Sequence, residues 1–403
     1  MVKVAVLGYG TVGSGVVQVI EDNNEVVSKK SGTEVRMKYI LDLRDFPGDP
    51  YEKYLVHDFN TILEDDEVQV VCETMGGVGA AYQFTKQCLE RGKTVCTSNK
   101  ELVAKHGPEL LEIAKNNDCS YLFEASVGGG IPIIRPIMDA LAAEKIESIV
   151  GILNGTTNFI LTKMKKDGAA FDAVLKEAQA LGYAERDPSA DIEGHDAARK
   201  IAILSSLMLG KTIDSDKLHT EGITAITAED FVFANAAKST IKLLGVSRVT
   251  DDGKPLTFVA PFLIDEGHPL AMVNDVFNAI FVTGNMVGNT MYYGKGAGKL
   301  PTASAVCADV IDGARHVGKN IPCYWENKEA DIADFSEASH SFYLRINESD
   351  VSKLESLIPG GRKITANVKD QIAYITPVIK EKEFEEAAAK LGGALLSKIR
   401  VYE

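Results

Sequence analysis

Five ionisable side chains, Glu185, Asp187, Asp191, Asp196 and Lys200, crowd into sixteen residues of this sequence. Carboxylates at that density suit the ammonium group of an amino-acid-like substrate, and a lysine among them suits proton transfer. Such a lysine can give up its proton near neutral pH if burial or a second cation lowers its pKa. Asp196 and Lys200 are four positions apart, so on a helix they share a face. Spacing alone fits equally well an exposed helical ion pair worth about 0.3–0.5 kcal/mol.

A redox cofactor would give that lysine a task. Gly8-x-Gly10-x-x-Gly13 follows the apolar run Val2 to Leu7 and precedes a helical pattern of Val12, Val16, Val17, Val19 and Ile20. Between a strand and a helix, Gly8 permits the tight turn and Gly10 lets the backbone approach a pyrophosphate. Gly13 lets the helix pack closely on the strand. The helix start at Thr11 and Val12 offers N–H groups and partial positive charge to an anion. Without that context the glycines are an ordinary turn. Asp42 ends the next expected strand, where a carboxylate accepts from the adenosine ribose hydroxyls and favours NAD. Arg44, two residues on, either pairs with a 2′-phosphate and favours NADP or is simply solvated, so both cofactors stay open. Carbonyl reduction by a nicotinamide needs a hydride for carbon and a proton for oxygen. Lys200 is the proton donor these residues offer, and Lys100 is a candidate second cation near the cofactor.

The elements expected to position these residues fall into a rhythm. Strands are expected at 2–7, 35–41, 68–72, 94–97 and 121–123, with helices at 79–91 and 101–116. Strands alternating with helices imply a mostly parallel, doubly wound Rossmann sheet over residues 1–130. Residues 131–320 read as an α+β substrate and dimerisation domain. Its strands lie at 146–153, 256–264 and 276–283, its helices near 158–166, 171–181 and 196–209. A further helix at 302–318 returns toward the first domain and, with residues up to 320, completes it. Residues 321–339 are a linker, acidic and weakly patterned from Trp325 onward. Residues 340–403 give the order β-α-β-β-α-β of a ferredoxin-like module.

Length and charge narrow the class. A chain of 403 residues suggests two or three domains. A net charge of −14, with no Lys/Arg block, speaks against nucleic acid as a partner. No apolar run is long enough to span a bilayer, and the N-terminal run lacks the form of a signal peptide, so a cytoplasmic location is expected. The six cysteines (72, 88, 96, 119, 307 and 323) show no metal-ligand spacing. Cys72, Cys96 and Cys119 lie in or beside expected strands as small buried hydrophobes. His195 adjoins Asp196 as a supporting or surface residue, and the other histidines form no i,i+4 pair.

Five ordered segments make a resemblance specific: Thr97 to Lys100, Glu124 to Pro132, Gly151 to Asn158, Asp187 to Lys200, and Gly294 to Val306. Over roughly residues 1–320 the chain closely resembles homoserine dehydrogenases. The resemblance implies reversible NAD(P)-dependent reduction of L-aspartate 4-semialdehyde to L-homoserine, in threonine, methionine and isoleucine biosynthesis. It implies Lys200 as general acid/base, Asp196 as its support, Glu185 and Asp191 at the substrate, and Lys100 at cofactor or substrate. Gly155 and Thr156 would face the substrate, and Gly298 the nicotinamide edge. Glu124 with the backbone at Val127, Gly129 and Ile131 resembles the family's monovalent-cation site, usually sodium. At least a dimer is implied.

Two rival readings make different demands. An aspartate semialdehyde dehydrogenase needs a reactive cysteine with a nearby histidine, and no cysteine here has that setting. A cofactor sensor without turnover would lose the lysine or the carboxylates, and both are present. Residues 340–403 resemble an ACT regulatory domain in element order. The acidic-x-x-Pro-Gly turn of amino-acid-binding ACT domains is replaced by Asn347 to Val351, and Pro359-Gly360-Gly361 follows the helix instead. A ligand sensor and a dimerisation or stability module both remain open.

Overall fold

Short runs of β-branched residues build the first sheet of the molecule, a computed structural model that describes residues 1–402. Its strands are β1 (Val2–Leu7), β2 (Val35–Leu41), β3 (Leu55–Val56), β4 (Val68–Glu73), β5 (Thr94–Thr97) and β6 (Tyr121–Leu122). All pair in parallel, in the spatial order β3-β2-β1-β4-β5-β6. A parallel sheet is covered on both faces, so its strands are apolar without alternation. Val4, Ala5, Val6 and Leu7 accordingly have no exposed surface. The order reverses between β1 and β4, and a ligand crevice opens there beyond the strand C-termini. Crossovers are made by α1 (Thr11–Asp22), α2 (Gly79–Glu90) and α3 (Lys100–Asn116).

These elements belong to the first of two compact units, residues 1–144, 202–214 and 294–330. Its late helix, Lys299–Arg315, packs against α1 so closely that a Cβ on Gly15 would lie 2.9 Å from that of Ala303. The helix begins and ends three residues earlier than the expected 302–318. Gly298, at φ +131°, forms its N-cap. Pro301 sits in the first turn, where its missing N–H costs nothing. Trp325, placed in the expected linker, is buried with its ring over Gly107.

The second unit covers residues 145–201, 215–293 and 331 onward. It contains β7 (Ile146–Ile152), α4 (Gly155–Asp167), the start of α5 (His195–Leu209, which belongs to the first unit from residue 202), β8 (Ser239–Val249), β9 (Pro255–Asp265), β10 (Phe277–Gly284) and all but the last two residues of β11 (Gly288–Lys295). The C-terminal residues add β12 (Phe342–Asn347), α6 (Val351–Leu357), β13 (Arg362–Ile364), β14 (Gln371–Ile375), α7 (Glu381–Leu391) and β15 (Leu395–Val401). One sheet runs through all the strands in the order β11-β10-β7-β8-β9-β15-β12-β14-β13. Within it β15-β12-β14-β13 is the fourth-first-third-second order of a ferredoxin-like module. Its last strand also pairs in parallel with β9, Phe262 opposite Arg400 and Leu263 opposite Val401.

That junction is pinned by charge. Arg400, 2% exposed, holds Glu381 at 2.6 and 2.9 Å and Glu221 at 2.8 and 2.9 Å. His340 bonds Glu381 and His219 bonds Glu221, each at 2.8 Å. Strand β8 buries a lysine. Lys242, 1% exposed, donates to Asn158 Oδ1 at 3.0 Å and to the Val273 carbonyl. Burial pushes its pKa down to about 7.

Candidate active site

The turn after β1 is shaped by its glycines. Gly8 has φ +91°, a conformation that side chains rarely adopt. A Cβ on Gly13 would lie 1.9 Å from the Gly8 carbonyl oxygen, whereas one on Gly10 would meet nothing within 4 Å. Helix and turn are therefore in contact at Gly13, and open space lies over Gly10, where a pyrophosphate needs it. Thr74 Oγ1 ties the turn down by donating to the Gly8 carbonyl at 2.9 Å. No side chain caps α1 at Gly10, so its first N–H groups are presented to a ligand at Thr11 and Val12. A cavity of about 740 Å³ adjoins the turn, lined by Tyr9, Gly10, Thr11, Ser14, Phe46 and Lys299 among others.

Asp42 stands beyond β2 with its carboxylate fully engaged. It accepts from the Tyr9 N–H at 2.9 Å and from the Arg44 N–H at 3.0 Å. Both oxygens also receive the Arg44 guanidinium, Nε and Nη2 each at 3.0 Å. The Arg44 contacts hold the Asp42 carboxyl far below the usual carboxylate range. The Arg44 side chain is 64% exposed and lies over the Phe46 ring.

The ends of β4 and β5 are joined by a buried carboxylate that no motif or spacing singled out. Glu73 accepts from Thr97 Oγ1 at 2.7 Å and from the Met75 N–H at 2.8 Å, and burial raises its pKa. Asn99 continues the network, donating to the Gly77 carbonyl at 2.6 Å and capping α3 through the Leu102 N–H at 3.1 Å. Lys100 is the first residue of α3. Its placement is thus set by Asn99 and, through Thr97, by Glu73.

In the second unit, α5 brings Asp196 and Lys200 onto one face, both buried. Lys200 Nζ lies 2.8 Å from Asp196 Oδ2 and donates to the Leu153 carbonyl at 2.7 Å. Asn154, directly after Leu153, donates to Asp196 Oδ2 at 2.9 Å and to Asp191 Oδ1 at 2.7 Å. Its own oxygen caps α4 through the Thr157 N–H at 2.9 Å. Burial, then repulsion from Asp196, raises the pKa of Asp191. Thr156 is fixed by donation to the Tyr183 carbonyl at 2.6 Å, next to Gly155 at the start of α4. Asp191, Asp196 and Lys200 are thus gathered round Asn154. Glu185 is exposed, and its backbone carbonyl accepts from Gln179 at 3.1 Å.

Glu124 follows β6. Its carboxylate accepts three backbone N–H groups, from Ile133 at 2.6 Å, Ile134 at 2.9 Å and Arg135 at 2.8 Å. Its N–H donates to Asp309 at 2.9 Å, and Arg135 pairs with both Asp309 and Asp312. Gly129, at φ +57°, has no room for a side chain, because a Cβ would lie 2.2 Å from the Gly296 carbonyl oxygen. Burial raises the pKa of Asp309 to about 8, so its carboxyl is largely protonated near neutral pH.

A six-stranded parallel sheet with this glycine turn, and a buried lysine–carboxylate pair in a second unit, define a dinucleotide-dependent oxidoreductase. Residues 8–124 match the NAD-binding domain profile of homoserine dehydrogenase, and residues 132–311 match the homoserine dehydrogenase profile itself. The homoserine dehydrogenase of Neisseria gonorrhoeae is 43% identical over 360 residues, 87% of this chain and 82% of that protein. The structure of a homoserine dehydrogenase from Thiobacillus denitrificans superposes with a TM-score of 0.90 at 36% identity, covering 100% of this chain and 98% of that one. A hyperthermophilic archaeal homoserine dehydrogenase in complex with NADPH superposes with a TM-score of 0.66 at 28% identity, covering 80% and 99%. The chain belongs to the homoserine dehydrogenase family. It is an NAD(P)-dependent oxidoreductase acting on a CH–OH group.

Proposed function

We propose that Lys200 is the acid and base of the homoserine dehydrogenase reaction and that Asn154 fixes the charges around it. The observation that carries this reading is the clamp on its Nζ, 2.7 Å from the Leu153 carbonyl and 2.8 Å from Asp196. A nicotinamide, when bound, supplies or accepts the hydride. In the reducing direction Lys200 gives its proton to the aldehyde oxygen of aspartate semialdehyde as the C–H bond forms. The amine then regains a proton from water. Oxidation of homoserine runs the same transfers backward. Asp196 stabilises the ammonium form, and Asp191 with Glu185 receives the substrate's α-ammonium group. Gly155 and Thr156 line the substrate.

On the cofactor side, Gly8, Gly10, Thr11, Val12 and Gly13 take the pyrophosphate, with Gly298 at the nicotinamide edge and Lys100 at cofactor or substrate. Asp42, neutralised by Arg44, does not repel a 2′-phosphate, and the exposed Arg44 is able to turn toward one, so the site accommodates NADP as well as NAD. Glu124 with the carbonyls of Val127, Gly129 and Ile131 would hold a structural sodium ion. The Glu124 carboxylate is largely occupied by backbone N–H groups, so the carbonyls would bear most of the coordination. No described helix is long and apolar enough to cross a membrane, and we place the enzyme in the cytoplasm, as a dimer, in threonine, methionine and isoleucine biosynthesis. The boundaries 1–130, 131–320, 321–339 and 340–403 mark the proposed nucleotide, substrate, linker and ACT-like segments, the last serving dimerisation or stability.

The test follows nicotinamide absorbance with homoserine and NAD or NADP, in wild type and Lys200→Ala. Turnover should fall by about two or more orders of magnitude in the variant while nucleotide binding persists. Wild type that binds nucleotide but turns over neither homoserine nor the semialdehyde would overturn the reading.

A further inference from the structure

A second cavity, of about 210 Å³, lies in the second unit beside the junction of β9 and β15. Its apolar wall is Val150 of β7, Val246 of β8 and Phe258 and Phe262 of β9, all nearly or fully buried. Ser148, Ser339, His340 and Tyr402 stand at its polar side. Arg248 of β8, opposite Ser148 across the β7–β8 pair, also lines it. Arg248 is half-buried, and among the described residues no carboxylate or other acceptor answers its guanidinium.

This arginine is out of keeping with the rest of the junction, where Arg400 and Arg345 are each matched by a buried carboxylate at 2.6–2.9 Å. A guanidinium presents a planar fork that fits a carboxylate at two points. Among the described residues, none that lines the cavity is acidic. The nearest acid of the network, Glu381, is already held by Arg400 and His340. An α-amino acid would therefore bring an ammonium group into a cationic cavity with nothing to meet it, at a substantial desolvation cost. At ~30 Å³ per water the space equals about seven waters, the size of a short branched chain plus a carboxylate.

We propose that this cavity binds a small monocarboxylate with a branched apolar body and no ammonium group. Its carboxylate pairs with Arg248, and its apolar end lies against Val150, Val246, Phe258 and Phe262. Such a ligand contacts β7, β8 and β9 on one side and the residues flanking β12 and β15 on the other, so it stabilises the docking of the C-terminal strands. The site is separate from Lys200, and its failure leaves the dehydrogenase reading intact.

The experiment titrates 3-methylbutanoate into the full-length protein by calorimetry and follows the melting midpoint. L-valine and 3-methylbutanamide serve as comparison probes. Saturable binding of the carboxylate, at least tenfold tighter than either comparison probe, with a rise in melting midpoint, is expected. Arg248→Met should abolish that preference, and Arg248→Lys, which keeps the charge but loses the fork, should fall between. Each variant's circular dichroism and homoserine turnover should match wild type, since among the described residues no hydrogen bond or ion pair holds the Arg248 guanidinium. Absence of saturable binding in wild type overturns the proposal, as does equal affinity in Arg248→Met. Valine binding as well as the carboxylate also overturns it.

Discussion

Asn154 carries three tasks with one side chain: it bridges Asp191 and Asp196 through its amide and caps α4 through its oxygen. Asn154→Ala should remove a cap worth about 0.5–2 kcal/mol and leave the two carboxylates facing each other without a donor between them. Steady-state kinetics should show kcat reduced at least tenfold, with a modest fall in melting temperature. Asn154→Asp should be worse in activity, because it adds a third carboxylate where a donor is required. At Arg44, substitution by alanine should raise KM for NADP several-fold more than KM for NAD, measured with each cofactor at saturating homoserine. An equal rise for both would assign Arg44 to holding Asp42 alone. The pairing of Asp196 with Lys200 was legible from their four-residue spacing. Asn154 was not, since an asparagine before a helix looks like an ordinary cap and its amide contacts span 37 and 42 positions. Glu73 was hidden similarly, as a single acid at a strand end whose partners, Thr97 and Asn99, arrive from another strand.

Among the elements, the glycine turn and its helix are the most tightly specified. Gly13→Ala places a methyl group where only 1.9 Å separates it from the Gly8 carbonyl oxygen, so turn and helix must part. Nucleotide affinity, followed by the fluorescence of the reduced cofactor, should weaken tenfold or more while far-UV circular dichroism stays close to wild type. Retained affinity would show that the turn can relax without losing the pyrophosphate. Five of the six parallel strands were readable as short runs rich in apolar residues; β3, two residues long, was not expected. Strand β8, eleven residues long, was missed because Lys242, Gly245, Ser247 and Arg248 interrupt the pattern. Those interruptions have separate causes. Lys242 is buried against amide oxygens, and Gly245 makes room for Leu153 and Ile201. Ser247 bonds Thr257 at 3.1 Å, and Arg248 lines the second cavity. Strand β11 escaped notice for the opposite reason, being largely exposed and polar.

For the molecule as a whole, the buried charges set how stability varies with pH. Burial opposes ionisation of Glu221, but hydrogen bonds from His219 and Arg400 outweigh it and hold the carboxyl well below its ordinary value of 4.5. Its stabilisation is present above pH 4.5 and is lost as pH falls through the lower folded value. Lys242 works the other way. With a folded pKa of about 7 against 10.5 unfolded, its penalty is complete below pH 7. That penalty is relieved as pH climbs toward 10.5, because the unfolded chain then holds the extra proton. Urea unfolding should therefore give a midpoint that rises up to about pH 4.5, stays level to pH 7 and rises again from 7 to 9, the second rise approaching about 1 kcal/mol per pH unit. Lys242→Met should flatten the upper limb and leave the lower one; an unchanged upper limb would remove Lys242 as its source.

The pairing of β9 with β15 also bears on how the chain is made. β9 is complete at Asp265, but its neighbour spans Leu395–Val401. At roughly 5–20 residues per second a nascent chain waits on the order of ten seconds for that partner. The nucleotide sheet waits too, for the helix Lys299–Arg315 that packs on α1. Neither unit can close in the order in which it is synthesised. From the completion of β9 until β15 is made, its edge at Phe262 and Leu263 is unpaired, and an exposed edge of that kind is where chaperones bind or neighbouring chains adhere.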